Sequence, residues 1–163
     1  MRKSSDTNIE NCILRYVTWL SSNQNYTVST VTSYRTDLIQ FVQFLQSNFS
    51  GKRIFVNAVD GNMVLDFLDR LRSEGVQNST LSRKMTSIRS FFRFLCFEKV
   101  IISNPVGSMS NPIVAIRSNP KLAIEKIEQA LEAVEDSTFI GARDRAIIEV
   151  FYGGGVRLGE LVE

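Results

Sequence analysis

Apolar residues recur along the first hundred positions at the three- and four-residue intervals of amphipathic helices. Ile9, Cys12, Ile13, Tyr16, Val17 and Leu20 form one stripe, which predicts a helix from about Asn8 to the polar run Ser21-Ser22-Asn23-Gln24-Asn25. A second opens on the capping run Thr27-Val28-Ser29, carries Val31, Tyr34, Leu38, Phe41, Val42 and Leu45 on one side and reaches about Asn48. Gly51-Lys52-Arg53 reads as a surface turn, and Ile54-Phe55-Val56, too short to identify as a strand, as loop. Asp60-Gly61-Asn62 offers a cap to a third helix with Val64, Phe67, Leu68 and Leu71 in its stripe, stopped by Gly75. Asn78 or Ser79 is expected to cap a fourth, in which Leu81, Met85, Ile88, Phe92 and Leu95 form the buried side and Phe91, Phe94 and Phe97 widen it.

Four helices with one apolar face each and short connections predict a compact antiparallel bundle over residues 1–103. The pattern then breaks. Residues 104–120 hold all three prolines (Pro105, Pro112, Pro120) together with Asn104, Gly107, Asn111 and Asn119. Each proline removes a backbone donor and biases its predecessor away from helix, so an extended linker is expected. Residues 121–163 resume as helices, one marked by Ile124, Ile127, Leu131 and Val134 and one beginning near Gly141 or Ala142 that carries Ala146, Ile147, Val150 and Phe151. The fold class is mainly α.

Composition narrows the functional classes. A chain of 163 residues, 44% hydrophobic and 22% charged, is an ordinary core-forming sequence, which excludes disorder and fibres. No run approaches the roughly 18 apolar residues of a membrane span, and the N-terminal charges precede no apolar stretch. A cytoplasmic location without a membrane partner is expected. Cys12 and Cys96 sit in apolar helical patterns without metal-ligand spacing and read as core thiols. Histidine is absent, which removes the usual neutral-pH acid-base and the usual metal ligand.

The net charge of +2 conceals an asymmetry. Residues 1–103 carry 13 Lys and Arg against 8 Asp and Glu, while residues 104–163 carry 6 against 9. The bundle is therefore the candidate for a polyanionic partner. On the fourth helix Thr80, Arg83, Lys84, Ser87 and Ser90 make a polar face, with Arg89 and Arg93 at its border; on the second, Ser29, Ser33, Thr36 and Gln40 form a comparable row beside Thr30 and Arg35. Cations supply attraction to a phosphate backbone and small hydroxyls donate short hydrogen bonds. The same residues also suit two solvated helix faces.

At the end of the chain a helical pattern meets Gly153-Gly154-Gly155, then Arg157 and Glu160 with Leu158 and Leu161 flanking the glutamate. A tight turn and a new helix are expected, with Arg157 and Glu160 on one face. No Lys-Ser/Thr follows the glycines, so the segment is no Walker loop. Two uses remain for the pair. It is either a helix-surface ion pair worth a few tenths of a kcal/mol, or an arginine clamp on a phosphate with the glutamate orienting it.

The order of these features resembles the tyrosine recombinases, specifically their bacterial Xer-type and integrase branch. Thr27 to Leu38, through Thr30, Tyr34 and Asp37, is similar to the signature S-x-x-T-x-x-x-Y-x-x-D-L with an offset of about a residue. Ser79 to Leu95 followed by Asn104-Pro105 is similar to the helix that precedes an N-P linker. Arg143-Asp144-Arg145-Ala146 with Tyr152 to Leu161 is similar to R-D-R-A followed by Y-G-T-G-L-R-x-S-E-L, except that Gly154 and Gly159 stand where Thr and Ser are common. Together these segments cover nearly the whole chain.

The resemblance implies an N-terminal four-helix core-binding (SAM-like) bundle on double-stranded DNA, a linker, and the first helices of a catalytic domain. It implies that Arg157 contacts the scissile phosphate and that Glu160 supports it. It further implies strand cleavage by a tyrosine hydroxyl through a 3′-phosphotyrosine link, without metal or nucleotide cofactor, among recombinase protomers in a tetramer. In the family the hairpin lysine, the His-x-x-Arg box and the nucleophilic tyrosine lie further along the sequence, and none of Tyr16, Tyr26, Tyr34 or Tyr152 is placed to replace them. The expectation is therefore an N-terminal portion of a Xer-like recombinase, inactive in strand cleavage by itself, whose DNA-binding residues are Ser29, Thr30, Ser33, Arg35, Thr80, Arg83, Lys84 and Ser87. The alternative is a stand-alone helical DNA-binding or protein-interaction module that modulates a full-length recombinase.

Overall fold

The computed structural model describes residues 7–23, 25–48, 53–114, 123–135 and 137–162. It divides into two compact units, residues 1–115 and 116–163. Seven α-helices occur among the described residues: α1 (Ile9–Ser22), α2 (Val28–Asn48), α3 (Gly61–Ser73), α4 (Asn78–Phe97), α5 (Ile124–Glu132), α6 (Phe139–Gly154) and α7 (Leu158–Val162).

The first unit is a four-helix bundle built from the expected stripes. Asn8 caps α1, its side-chain oxygen accepting from the Glu10 and Asn11 amides at 2.9 and 3.3 Å. Thr27 does the same for α2 through the Thr30 amide at 3.2 Å, and Asp60 for α3 through the Met63 amide at 3.0 Å. Ile9, Cys12, Tyr16 and Leu20 of α1 meet Leu38, Phe41 and Leu45 of α2 and Leu81, Ile88, Phe91, Phe92 and Leu95 of α4 in one buried cluster, closed at one end by Val64, Phe67 and Leu68 of α3. Burial of each such side chain contributes about 2 kcal/mol. Tyr16, Trp19, Phe91 and Phe94 stack and tilt against one another with centroids 5.3–6.2 Å apart.

The segment Ile54-Phe55-Val56, expected as loop, has a definite role. Phe55 forms an isolated antiparallel bridge with Asn8, the Ile9 amide donates to the Ile54 carbonyl at 3.0 Å, and Ile54 and Val56 are buried. A single 3-10 turn, Val56–Ala58, follows. Gly51 and Lys52 of the expected surface turn lie outside the described residues.

Two details of α4 differ from expectation. Its N-cap is Gln77, which makes no side-chain cap bond; the Asn78 side chain instead donates to the Ile113 carbonyl at 3.0 Å. Phe97 does not widen the core but is 74% exposed, because the stripe has turned away from the bundle by the last turn.

The proline-containing stretch, expected as an extended linker, packs on the bundle over its first half. Val106 is fully buried. Arg89 of α4 donates to the Val106 carbonyl at 3.4 Å and the Met109 carbonyl at 2.5 Å, while the Asn104 side chain donates to the Arg89 carbonyl at 3.2 Å. Pro105 and Met109 come so close to the start of α3 that a Cβ on Gly61 would lie 3.1 Å from the Pro105 carbonyl oxygen and 2.6 Å from Met109 Cε. A lone buried valine carries no periodicity, so this packing leaves no pattern in the chain. The later part of the expected linker, residues 115–120, lies outside the described residues.

In the second unit Thr138 caps α6, accepting from the Gly141 amide at 3.0 Å, so this helix begins two residues before Gly141. It also continues through Gly153 and Gly154. Only Gly155, at φ +59°, takes the left-handed conformation that ends the helix, so the expected three-residue turn is a single glycine C-cap.

Candidate nucleic-acid interface

The seam between α2 and α4 is polar at one level. Asp37 is fully buried where the stripe of α2 would otherwise continue. Its Oδ1 accepts from Lys84 Nζ at 3.0 Å, and its Oδ2 accepts from Ser87 Oγ at 2.8 Å and from the Arg83 guanidinium. Lys84 also donates to Gln40 Oε1. A carboxylate removed from water is costly unless charges and donors surround it, and three donors from one turn of α4 do so here. Among the described residues no buried side-chain nitrogen or oxygen lacks a partner.

This corrects the expected polar face of α4. Lys84 and Ser87 lie in the interior, at 5% and 0% exposure, rather than beside Arg83 on a solvated surface. The physical reason is that Asp37, Lys84 and Ser87 occupy stripe positions, where partners across the seam replace water.

The solvent side of α4 is narrower than the sequence reading, its two arginines exposed and the hydroxyl residues between them half-buried. Arg83, Thr86, Ser90 and Arg93 follow one another at three- and four-residue steps, so Arg83 and Arg93 stand about 15 Å apart along the helix. Both arginines are exposed. Arg93 has no hydrogen bond or ion pair with a described residue. Ser90 accepts from the buried Tyr16 hydroxyl at 2.8 Å, which ties this face to the core. Tyr34 of α2 feels both arginines: burial pushes its phenol up, Tyr26 and Asp37 add to the rise, and Arg83 and Arg93 oppose it. On α2, Thr30 and Ser33 precede Asp37 at helical spacing on this side and are half-buried, whereas Ser29 is exposed in the first turn.

Two grooves separate the remaining candidates. Thr80 and Arg83 line one of about 610 Å³, together with Lys84, Arg70, Gln40 and Ser47 between α2, α3 and α4. Arg35 lies elsewhere, in a groove of about 310 Å³ with Glu10, Ile13, Leu14 and Ile39 between α1 and α2. The eight sequence candidates thus divide into the α4 side (Thr30, Ser33, Thr80, Arg83, with exposed Ser29 nearby), the interior (Lys84, Ser87) and the α1–α2 side (Arg35). Arg93 and Tyr34 belong to the first group but were read as border and core residues; the ten-residue interval from Arg83 to Arg93 was the available signal.

In the second unit the structure brings Arg157 and Glu160 together. The Glu160 carboxylate accepts from the Arg157 amide at 2.8 Å, the arrangement of a helix-capping glutamate, and from the Arg157 guanidinium at 3.2 Å. The arginine side chain is 85% exposed and keeps further donors for an outside ligand. Among the described residues no group of three His, Cys, Asp or Glu is placed to hold a metal ion, and no helix is long and apolar enough to cross a membrane.

The first unit belongs to the class of four-helix bundles, here with two exposed arginines on α4, and comparison with known proteins gives that class its family. Residues 13–99 match the family described as phage integrase, N-terminal SAM-like domain, and the chain belongs to that family. Three relatives carry the description tyrosine recombinase XerC. The protein of Listeria welshimeri serovar 6b is 33% identical over 147 residues, 90% of this chain and 48% of the relative. That of Natranaerobius thermophilus is 35% identical over 153 residues, 94% and 50%. That of Herpetosiphon aurantiacus is 33% identical over 150 residues, 91% and 48%. The chain spans about half the length of these curated relatives.

Proposed function

We propose that this chain supplies the DNA-binding bundle and the first active-site arginine of a site-specific tyrosine recombinase, acting on double-stranded DNA with other recombinase protomers. The observation that carries the reading is the pair of exposed arginines Arg83 and Arg93 on α4, on a bundle of the phage integrase N-terminal family. Two guanidinium groups about 15 Å apart on one helix suit phosphates along a duplex, and the hydroxyls of Thr30, Ser33 and Thr80 on the same side add short donors. Arg157 is assigned to the scissile phosphate and Glu160 to its support, since the carboxylate bonds both the backbone and the side chain of that arginine.

Strand cleavage needs an activated phenol, and the buried tyrosines of the bundle are the opposite. Burial raises the pKa of Tyr16 and of Tyr34, so both phenols stay protonated near neutral pH. The proposal assigns this chain a binding role and no covalent step of its own.

Duplex binding measured against salt tests it. Log affinity is expected to fall linearly with log salt, by about 0.9 per phosphate neutralised. No duplex affinity at low salt, an affinity indifferent to salt, or a covalent adduct between DNA and this chain would each overturn the reading.

A further inference from the structure

The ion pairs among the described residues are of two kinds. Among the described residues, the carboxylates that pair with Arg15, Arg70, Arg72, Arg143, Arg145 and Arg157 are between 35% and 65% exposed. Asp37, the partner of Arg83, is 0% exposed and is held from beneath by Lys84 and Ser87. It cannot follow the arginine. The Arg83 side chain is itself 44% exposed, and its Nη1 is the atom that meets Asp37. Its Nε and Nη2 make no hydrogen bond with any described residue.

We propose that Asp37 is a positioning residue for DNA contact: it fixes one edge of the Arg83 guanidinium so that the other edge meets a phosphate. The inference rests on the DNA-binding reading above. A long arginine side chain loses rotamer freedom when it binds, and an anchor already in place removes part of that cost. Guanidinium suits the task because its donors are rigidly forked, so holding one nitrogen sets the direction of the rest. Lys84 has a separate part in the network. Its buried charge neutralises Asp37, which leaves the charge of Arg83 uncompensated at the surface and available to a polyanion. Lys84 thus serves the interface without touching it.

Electrostatics alone makes the opposite forecast for one variant, which provides the test. Asp37→Asn removes a negative charge and would strengthen attraction to DNA if the carboxylate were a bystander. Binding of the full chain to a short mixed-sequence duplex is followed against salt, with circular dichroism and thermal melting reporting the fold. Arg83→Ala is expected to weaken binding roughly tenfold and to lower the salt slope by about one. Asp37→Asn is expected to weaken binding too, despite the added positive charge, and the double variant is expected to bind no worse than Arg83→Ala alone, since both losses pass through one guanidinium.

Arg83→Lys, an exposed substitution that leaves the core untouched, supplies the second arm. It keeps the charge but cannot hold Asp37 and a phosphate from one rigid plane, so it is expected to lose most of what Arg83→Ala loses. Asp37→Asn binding as tightly as wild type or tighter, losses that add in the double variant, or an Arg83→Lys protein with wild-type affinity would each overturn the positioning role while leaving DNA binding intact. Absence of binding by the wild-type chain would overturn both.

Discussion

Lys84 Nζ stands 3.0 Å from Asp37 Oδ1, and the two side chains are 6% and 0% exposed, so the bundle carries a buried ion pair across its α2–α4 seam. Breaking such a pair on one side leaves a charge without its counterion in a medium that solvates it poorly. Lys84→Ala is expected to destabilise the bundle by about 3 kcal/mol, read as a lower midpoint in urea. Replacing both partners, Asp37→Leu with Lys84→Met, is expected to cost less than Lys84→Ala alone, because no buried charge remains. A single variant within 1 kcal/mol of wild type would show that Arg83 and Ser87 suffice for Asp37.

The second prediction concerns alkaline pH. Burial raises the pKa of Tyr16 above its ordinary value of 10.0, and the hydrogen bond to Ser90 offsets this only in part. In the unfolded chain the phenol loses its proton near the ordinary value while the folded protein keeps it, so the folded state binds more protons above that point. Stability contributed by Tyr16 is complete below pH 10 and declines as pH rises beyond it, by up to about 1.4 kcal/mol per pH unit. Urea midpoints measured from pH 9 upward should fall, and the fall should be shallower in Tyr16→Phe. Equal slopes in the two proteins would assign the alkaline loss to other groups.

The third prediction concerns the end of the first unit. Val106 is fully buried and Arg89 holds the carbonyls of Val106 and Met109. Val106→Ala is expected to cost about 2 kcal/mol. Arg89→Ala is expected to leave the helices in place but to release the segment Ser103–Val114 to proteases. Cleavage there at the wild-type rate in Arg89→Ala would show that Val106 alone is the anchor.

Why this segment escaped sequence reading, while the helices did not, is a matter of how burial is written along a chain. A helix of fourteen to twenty-one residues repeats its apolar face several times, so α1 and α2 declare themselves through Ile9, Cys12, Tyr16 and Leu20 or Tyr34, Leu38, Phe41 and Leu45. Residues 103–114 bury one valine and otherwise attach through main-chain carbonyls, which no side-chain pattern records. Lys84 and Ser87 illustrate a different failure. A charged residue on a helix was read as solvated, although Lys84 lies between Leu81 and Ile88 in the stripe, just as Asp37 adjoins Leu38 between Tyr34 and Phe41. Opposite charges on the core stripes of two neighbouring helices are a legible sign of a buried pair. Arg157 and Glu160 were paired from their spacing, and the structure joins them; that Glu160 also bonds the Arg157 amide depends on where α7 starts.

The last prediction separates the two basic sides of the bundle. Arg93 shares the exposed side of α4 with Arg83 and has no partner among the described residues. Arg35 lines the α1–α2 groove beside Glu10, whose carboxylate accepts from Gln46 at 2.8 Å. If DNA lies along α4, Arg93→Ala removes one phosphate contact and lowers the salt slope by about one. Arg35→Ala removes the same formal charge from another side, where screening over about 10 Å at ordinary salt weakens any influence on the contact. It is expected to leave the slope unchanged and to shift affinity by less than about threefold. Because the substitutions are equal in charge and both are exposed, net charge and folding drop out of the comparison, and what remains is position. Equal effects would mean that attraction is spread over the bundle, and a larger effect at Arg35 would move the duplex to the α1–α2 side.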